Sequence, residues 1–182
     1  MLISSSQKIC SFLLQNKIGI IPTDTIYGFA TLLNNHEGIV RIFQIKKRSR
    51  DKKIPLLVAS LTQLKQLIHV SKDVETYLDN CQQPTTVIYE FTVKNSFSLN
   101  KNPFLDKKTI AIRLVHWEWL RNIILKTGPL VVTSCNISGN KPLNTLKLLL
   151  PFANQVDFIV PLSALSQQPS RIFDWEKKVY LR

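Results

Sequence analysis

The feature that most constrains this chain is its interleaving of short apolar runs with helix-like periodicity. Ile18-Gly19-Ile20-Ile21, Leu56-Leu57-Val58-Ala59 and Pro129-Leu130-Val131-Val132-Thr133 read as buried strands. Thr85-Thr86-Val87-Ile88-Tyr89-Glu90-Phe91 is rich in β-branched and aromatic residues, which suit a pleated surface. In Thr109-Ile110-Ala111-Ile112-Arg113-Leu114 the period is two: Ile110, Ile112 and Leu114 share one face, Thr109, Ala111 and Arg113 the other. Arg113 therefore projects opposite an aliphatic row. Short strands are also expected near residues 158–160, 171–174 and 179–182.

Between these runs the spacing changes to i, i+3, i+4. Ile9, Phe12 and Leu13 predict a helix over about residues 5–16, and Ile39, Ile42 and Phe43 predict a second that runs into a basic tract. Further helices are expected over about 62–68, 71–80, 117–126 and 144–150. Interleaved strands and helices argue an α/β layered fold with an open twisted sheet, mixed or mostly parallel, and helices packed around it. Neither an internal repeat nor a low-complexity linker interrupts the 182 residues, so a single domain over 1–182 is expected. No apolar stretch approaches the roughly 18 residues of a membrane helix, and the N-terminus lacks the basic-then-apolar order of a signal peptide. A soluble, cytoplasmic protein with no membrane partner is expected. Cys10, Cys81 and Cys135 form no CxxC pair and have no histidine at ligand spacing, so neither a disulfide framework nor a zinc site is indicated.

Charge narrows the chemistry. Lys and Arg number 24 against 12 Asp and Glu, a net +12 that favours polyanions such as nucleotides or RNA. Six of these cations fall within the eight residues Lys46-Lys47-Arg48-Ser49-Arg50-Asp51-Lys52-Lys53. Such a run also reads as a localisation signal or a nonspecific RNA patch. The five glycines assemble neither a GxxxxGK[ST] nor a GxGxxG loop. If phosphates bind, side-chain cations must hold them, with Lys46, Arg48 and Arg113 the candidates. His36, His69 and His116 stand far apart, and no pair of carboxylates suggests acid–base work. Two polar segments end buried strands, where ligands collect in open α/β sheets: Pro22-Thr23-Asp24-Thr25-Ile26-Tyr27-Gly28 and Thr133-Ser134-Cys135-Asn136-Ile137-Ser138-Gly139. Read alone, the first is an ordinary Asx-type turn and the second a helix N-cap.

Taken in order, PTDTIYG, KKRSRDKK, AIRL and TSCNISG resemble the YrdC-type threonylcarbamoyl-AMP synthases, whose signature is KxR followed by SxN. The resemblance runs from about Ile18 to Arg182 and takes in Gln83-Pro84-Thr85-Thr86, Pro169-Ser170-Arg171-Ile172 and Val179-Tyr180-Leu181-Arg182. It implies a YrdC-like sheet around a basic concave cavity. It also implies synthesis of L-threonylcarbamoyladenylate and pyrophosphate from L-threonine, bicarbonate or CO2 and ATP with Mg²⁺, for N6-threonylcarbamoyladenosine at tRNA position 37. Lys46, Arg48, Arg50, Ser134, Asn136 and Arg182 would then serve ATP, and Thr23, Thr25, Tyr27, Arg113 and Ser170 threonine. No catalytic base is assigned, because the attacking carboxylate is already anionic and the step needs positive charge instead. Final transfer would need other tRNA threonylcarbamoylation proteins.

Two alternatives stand beside this one. A nonenzymatic module would bind double-stranded RNA or tRNA on the same basic surface; a carbamoyl-adenylate step in metal-centre maturation is performed by related domains inside longer proteins. Several positions depart from the family pattern: Ser49 where proline is common, Cys81-Gln82-Gln83 where Trp-Pro-Gly is, Cys135 in place of alanine, and Arg171 in place of threonine. The chain ends at Arg182, so the short bacterial form is expected.

Overall fold

The computed structural model describes residues 1–91, 108–164, 166 and 168–182. Helices α1 (Ser6–Leu14), α2 (His36–Ile45), α3 (Leu61–Leu67), α4 (Lys72–Asn80), α5 (Glu118–Thr127) and α6 (Leu146–Leu149) alternate with strands. The strands are β1 (Gly19–Ile21), β2 (Gly28–Leu32), β3 (Leu56–Val58), β4 (Thr85–Glu90), β5 (Thr109–Leu114), β6 (Leu130–Ser134), β7 (Phe158–Ile159), β8 (Arg171–Asp174) and β9 (Val179–Tyr180). Ser5, Asn35, Ser60 and Ser71 cap the first four helices, each side chain accepting from a backbone N–H three residues on. No helix among the described residues is long and apolar enough to cross a membrane.

The described strands form one sheet in the order β7-β1-β2-β6-β3-β5-β4-β8-β9. The mixed open sheet expected from the sequence is present, but its weight is antiparallel. Only β1–β7, β3–β5 and β4–β8 pair in parallel, against five antiparallel pairs. The connection from Ile21 to Gly28 is too short for a parallel crossover, which takes a dozen or more residues, so β2 must return beside β1 antiparallel.

β2 carries no signal in the sequence. All five of its residues are buried, so the polar–apolar alternation that marks a half-exposed strand is missing. At 144–150 the expected helix is shortened to α6 and continues as a 3₁₀ turn over Leu150–Gln155, because Pro151 cannot donate to an α-helical ladder.

Helices cover the two faces unequally. On one face Ile39, Ile42 and Phe43 of α2, Leu64 of α3, and Val74 and Leu78 of α4 pack on Phe29, Leu56, Val58, Ile110, Ile112 and Val131. On the other, Ile9 and Leu13 of α1 with Leu120, Ile123 and Ile124 of α5 pack on Ile21, Ala30, Leu32, Leu57, Leu130 and Phe158. Each of these side chains other than Ala30 contributes roughly 1.5–3 kcal/mol of burial. The second pair of helices sits over β7, β1, β2, β6 and β3, and this face continues over β5, β4 and β8 beyond the reach of that cluster. The aliphatic row of β5 lies in the first core, and Arg113 points to the opposite face, as the period-two pattern requires.

Gly19 shows how tightly the β1–β7 edge is packed. A Cβ there would stand 2.2 Å from a ring carbon of Phe158, its partner across the ladder. Gly19→Ala should destabilise the protein by about 1–3 kcal/mol, read as a fall in thermal midpoint, and Phe158→Leu in the same chain should recover part of it. An unchanged midpoint in Gly19→Ala would mean the edge can spread without cost.

Candidate functional site

The uncovered part of the second sheet face is the floor of a cavity. Leu57, Thr86, Ile88, Ala111, Arg113 and Val132 rise from it at alternate strand positions, with Gly28 and Ser134 at strand ends. Gly28 cannot carry a side chain, since a Cβ would meet Val132 Cγ1 at 2.5 Å. Walls come from the loop after β1, the turn holding Arg48 and Lys53, and the segment from Pro169 to Ile172 with Arg182. The cavity encloses about 190 Å³, below the roughly 300–1,000 Å³ of pockets that enclose a drug-sized ligand. Its enclosed part therefore suits a small polar molecule, and anything larger must extend over the rim.

Arg113 is the buried charge on this floor. One guanidinium nitrogen, Nη2, donates to Asp24 Oδ1 at 2.8 Å and Nη1 donates to Thr25 Oγ1 at 3.0 Å. Burial lowers the Arg113 pKa and the Asp24 carboxylate opposes that shift; a guanidinium stays charged regardless. Its Nε–H is buried without an acceptor among the described residues. A buried donor left unmatched by protein is a place where a ligand oxygen gains most.

The loop that supplies Asp24 is built by Thr23. Its Oγ1 accepts from the N–H groups of Thr25 and Ile26, both at 3.1 Å, and donates to the Ile26 carbonyl at 2.7 Å. That spends the only Thr23 proton, so in the 2.7 Å contact between the two hydroxyls Thr25 is the donor. The turn is thus a threonine turn rather than an Asx turn, and Asp24 is released to face Arg113. Tyr27 lines the cavity and donates its hydroxyl to the Leu162 carbonyl at 2.7 Å. Across the floor Ser170 Oγ lies 2.9 Å from Thr86 Oγ1, and the Ser170 carbonyl accepts from Arg182 Nε at 3.1 Å and Nη2 at 2.9 Å.

The basic tract does not act as a unit. Lys47, Arg50 and Lys52 are exposed, Arg48 and Lys53 line the cavity, and Lys46 is buried at 1% exposure. Arg48 Nη2 donates to the Lys53 carbonyl at 2.6 Å, while its Nε–H, like that of Arg113, is buried without an acceptor. Lys46 Nζ donates to the Ser134 carbonyl, and at 2.9 Å to both the Asn136 carbonyl and Asn136 Oδ1. Those three bonds use every proton of the ammonium. Asn136 Oδ1 also accepts from Ser134 Oγ at 2.6 Å, and Asn136 Nδ2 donates to the carbonyls of Ile137 and Asn140 at 3.0 and 2.6 Å. No helix starts after Asn136, since α6 begins only at Leu146, so the segment is a closed hydrogen-bonded loop and not an N-cap.

Of the residues expected at a site, Thr23, Thr25, Tyr27, Arg48, Arg113, Ser134, Ser170 and Arg182 come together around one cavity. Lys46 and Asn136 lie behind its wall, and Arg50 lies on the exposed turn. Sequence reasoning missed Asp24, Lys53 and Thr86. Lys53 lay in the basic tract and Thr86 in the Gln83–Thr86 segment without being singled out, and Asp24 left its own signal, since a buried arginine needs a counter-charge and Asp24 is the acidic residue of the loop named beside it. The departure at Arg171 falls outside the cavity. Its guanidinium stacks 3.8 Å from the Tyr180 ring centre and donates to Gln83 Oε1 at 3.2 Å, so two departures from the family pattern meet each other.

Two outcomes follow from these contacts. Asp24→Ala leaves Arg113 buried and uncompensated and should lower stability by about 3–5 kcal/mol, whereas Lys72→Ala removes an exposed lysine from buried Glu75, which keeps Lys65 as a partner, and should change it by under about 1 kcal/mol in denaturant unfolding. Burial lowers the Lys46 pKa to about 8, with the nearby Arg48 charge adding to the effect; the Cys135 thiol offers no counter-charge because burial pushes its own pKa up. The unfolded chain keeps that proton to the ordinary value of 10.5. Folding therefore releases it between about 8 and 10.5, and stability from this group rises with pH across that window. The stability of the wild type relative to Lys46→Met should grow between pH 7.5 and 10; a flat or falling difference would contradict the shift.

The chain is similar to known proteins over most of its length. The Sua5/YciO/YrdC family model, described as telomere recombination, matches residues 11–182. A threonylcarbamoyl-AMP synthase of Blochmanniella pennsylvanica (strain BPEN) is 31% identical over 138 residues, 73% of this chain and 69% of that protein. One from Marinobacter nauticus is 28% identical over 159 residues, 84% of this chain and 82% of that one. The fold is that of P. abyssi Sua5, solved in complex with L-threonine: the TM-score is 0.79 at 23% identity over 96% of this chain and 54% of that one, so the chain spans about half of that protein's length. A family match over almost the whole chain, carried on a sheet of the same architecture, settles the kinship: this chain belongs to the Sua5/YciO/YrdC family.

Proposed function

We propose that this chain makes L-threonylcarbamoyladenylate and pyrophosphate from L-threonine, bicarbonate or CO2 and ATP, the activity named for its two bacterial relatives. The observation that carries the reading is Arg113. A buried guanidinium with one donor unmatched, on the floor of a cavity of small-ligand size, suits the carboxylate of an amino acid. Ser170, Thr25 and Tyr27 stand around it to receive the amine, hydroxyl and β-methyl. A nucleotide then lies over the rim, with its phosphates toward Arg48, Ser134 and Arg182.

The chemistry asks little acid–base work of the protein. The threonine amine, with an ordinary pKa near 8, attacks CO2 as the free base and its proton passes to solvent, leaving a carbamate. One carbamate oxygen attacks the α-phosphorus; the bond to the β-phosphate bridge breaks, and pyrophosphate departs with the electron pair. Both reactants are anions, so the protein's part is to gather them and to stabilise the charge that grows on the leaving group. Arg48 and Arg182 supply fixed positive charge there. Lys46 serves ATP through its charge and by holding Ser134 in place. Arg50, on the exposed turn, reaches ATP only from outside the rim.

Mg²⁺ enters with the nucleotide phosphates. The described lining holds no carboxylate, Asp24 is committed to Arg113, and no cluster of His, Cys, Asp or Glu among the described residues could hold a metal. A protein-held magnesium does not fit this donor set. A purely RNA-binding role is not favoured, because three of the six cations of the basic tract turn inward. Delivery of the intermediate to tRNA by further threonylcarbamoylation proteins in the cytoplasm completes the proposal.

Protein mixed with ATP, threonine, bicarbonate and Mg²⁺ should release pyrophosphate only when threonine is present. Arg113→Lys keeps the charge but loses the fork, and should lower kcat/KM for threonine about 100-fold while leaving the KM for ATP within a few-fold. Arg48→Ala should do the reverse. Threonine-independent release, or none alongside tight RNA binding, would sink the reading.

A further inference from the structure

A second cavity lies on the reverse face of the sheet. Successive residues of a strand face opposite sides, so β4 and β8 give Thr86 and Ile172 to the cavity around Arg113, and Thr85 and Arg171 to this other one. Helix α4, the turn after it and β9 complete its walls. It encloses about 590 Å³ where the first encloses about 190 Å³, within the roughly 300–1,000 Å³ that hold a small organic ligand. Gln82, Gln83 and Arg171, which depart from the family pattern, all line it.

The described lining carries one guanidinium and one carboxylate, Arg171 and Asp73, so charge alone recruits no bare anion. It offers flat surface instead. The Arg171 guanidinium lies 3.8 Å from the centre of the Tyr180 ring, and its bond to Gln83 Oε1 fixes it there. Tyr180 is 48% exposed, and its hydroxyl meets that of Tyr77 at 2.8 Å. Both rings rest on buried Phe173: Tyr77 stacks on it at 5.0 Å and 23°, Tyr180 lies tilted at 4.9 Å, and Trp175 closes the cluster edge-on. Amides with bonding capacity left among the described residues stand around these planes. Gln83 has used Oε1 and keeps Nε2, Asn80 donates through Nδ2 to the Thr76 carbonyl and keeps Oδ1, and exposed Gln82 keeps both. Aromatic planes, edge donors and acceptors and a lone guanidinium are the groups with which proteins hold an unstacked nucleotide: ring on ring, amide on base edge, guanidinium on phosphate.

We propose that this cavity binds one nucleotide unit, an unpaired base with its phosphate, with the base against the aromatic cluster, its edge on Gln82, Gln83 and Asn80, and its phosphate on Arg171. The unit is a free monophosphate or one residue of a single-stranded RNA. The sheet stands between this cavity and Arg113, so a base held here takes no part in adenylate formation. The site retains a ligand and does not transform it, and it stands independently of the activity proposed above.

Fluorescence anisotropy with labelled single-stranded hexaribonucleotides of uridine, cytidine and adenosine, and calorimetry with the matching 5′-monophosphates, test it on the wild type, Arg171→Gln, Tyr180→Leu, Gln82→Ala and Arg48→Ala. At least one hexamer should bind the wild type. Arg171→Gln and Tyr180→Leu should weaken it about tenfold, Gln82→Ala about threefold and Arg48→Ala less than twofold. Gln82 is exposed, so its substitution leaves the fold intact and keeps the comparison decisive. A monophosphate that loses affinity through the same substitutions identifies a free nucleotide as a sufficient ligand; binding confined to the hexamer identifies RNA. Threonine-dependent pyrophosphate release should stay within twofold of the wild type in Arg171→Gln, and its absence from the wild type would remove the adenylate reading while leaving these titrations intact. No binding of any probe, a duplex of the same sequence bound as tightly as the single strand, loss in Arg48→Ala equal to that in Arg171→Gln, or unchanged binding in Arg171→Gln and Gln82→Ala would each overturn the proposal.

Discussion

A sheet this wide cannot be covered on one face by two helices, and the rest of the molecule follows from that shortfall. Helices α1 and α5 bury the half around β1, β2, β6 and β3, where Ile21, Leu32, Leu57 and Leu130 meet them. Past Leu57 the same face has no helical cover among the described residues, and the strand residues there are Thr86, Ala111 and Arg113 with Ser134 and Ser170 at the rim. The opposite face is different, because α2, α3 and α4 cover it with a continuous apolar layer. The cavity is thus the part of the sheet that the described helices leave open, at the edge of the strands covered by α1 and α5. Ligands in open α/β sheets gather at such ends for the same reason.

An open floor over a packed core would collapse or fill with water unless its charges were held. Arg113 is held by Asp24 and Thr25, and those two are held by the turn that Thr23 builds. On the other wall Lys46 joins the end of α2 to the Ser134–Asn136 loop through three acceptors. Neither arrangement is a stability device in the first place. A buried ion pair is seldom better for stability than an apolar pair of the same volume; its value here is that it fixes a cation and leaves part of its hydrogen-bonding capacity over. For Arg113 that remainder is its Nε–H, which has no acceptor among the described residues; Lys46 keeps none, its three protons being spent.

The chain belongs to the Sua5/YciO/YrdC family, and its departures from the family pattern fall outside the cavity lining. Arg171 and Gln83 bond to each other on the far side of β8, Ser49 is exposed, and Cys135 packs into the core as a small apolar residue. Eight of the residues that the family resemblance names line the cavity, together with Lys53 and Thr86, while Asp24 stands behind Arg113 as its counter-charge. Chemistry that needs fixed charge and no base tolerates drift around its rim more readily than a proton relay would, since charge acts over a range of distances and a hydrogen-bonded relay does not.

Local order was legible in the chain itself. The period-two pattern at Thr109–Leu114 assigned a strand and the side on which Arg113 stands, and the i, i+3, i+4 spacings marked the helices, because both patterns record which face of an element meets a core. β2 left no such record: buried on both faces it has no polar–apolar alternation, and Gly28, Ala30 and Thr31 leave it without the aliphatic run that marked β1, β3 and β6. The antiparallel bias of the sheet was hidden for a related reason: pairing depends on which strands become neighbours, and that is decided by connections and packing across the whole chain. The basic tract illustrates the limit most clearly. Its composition announced a polyanion partner, but six adjacent cations look alike in a sequence. Only the tertiary structure separated Lys46, buried behind the wall and spent on three carbonyl-type oxygens, from Arg48 and Lys53 in the cavity and from Lys47, Arg50 and Lys52 in solvent, because burial and hydrogen-bond partners come from segments, such as Ser134–Asn136 and Thr109, that lie far along the chain.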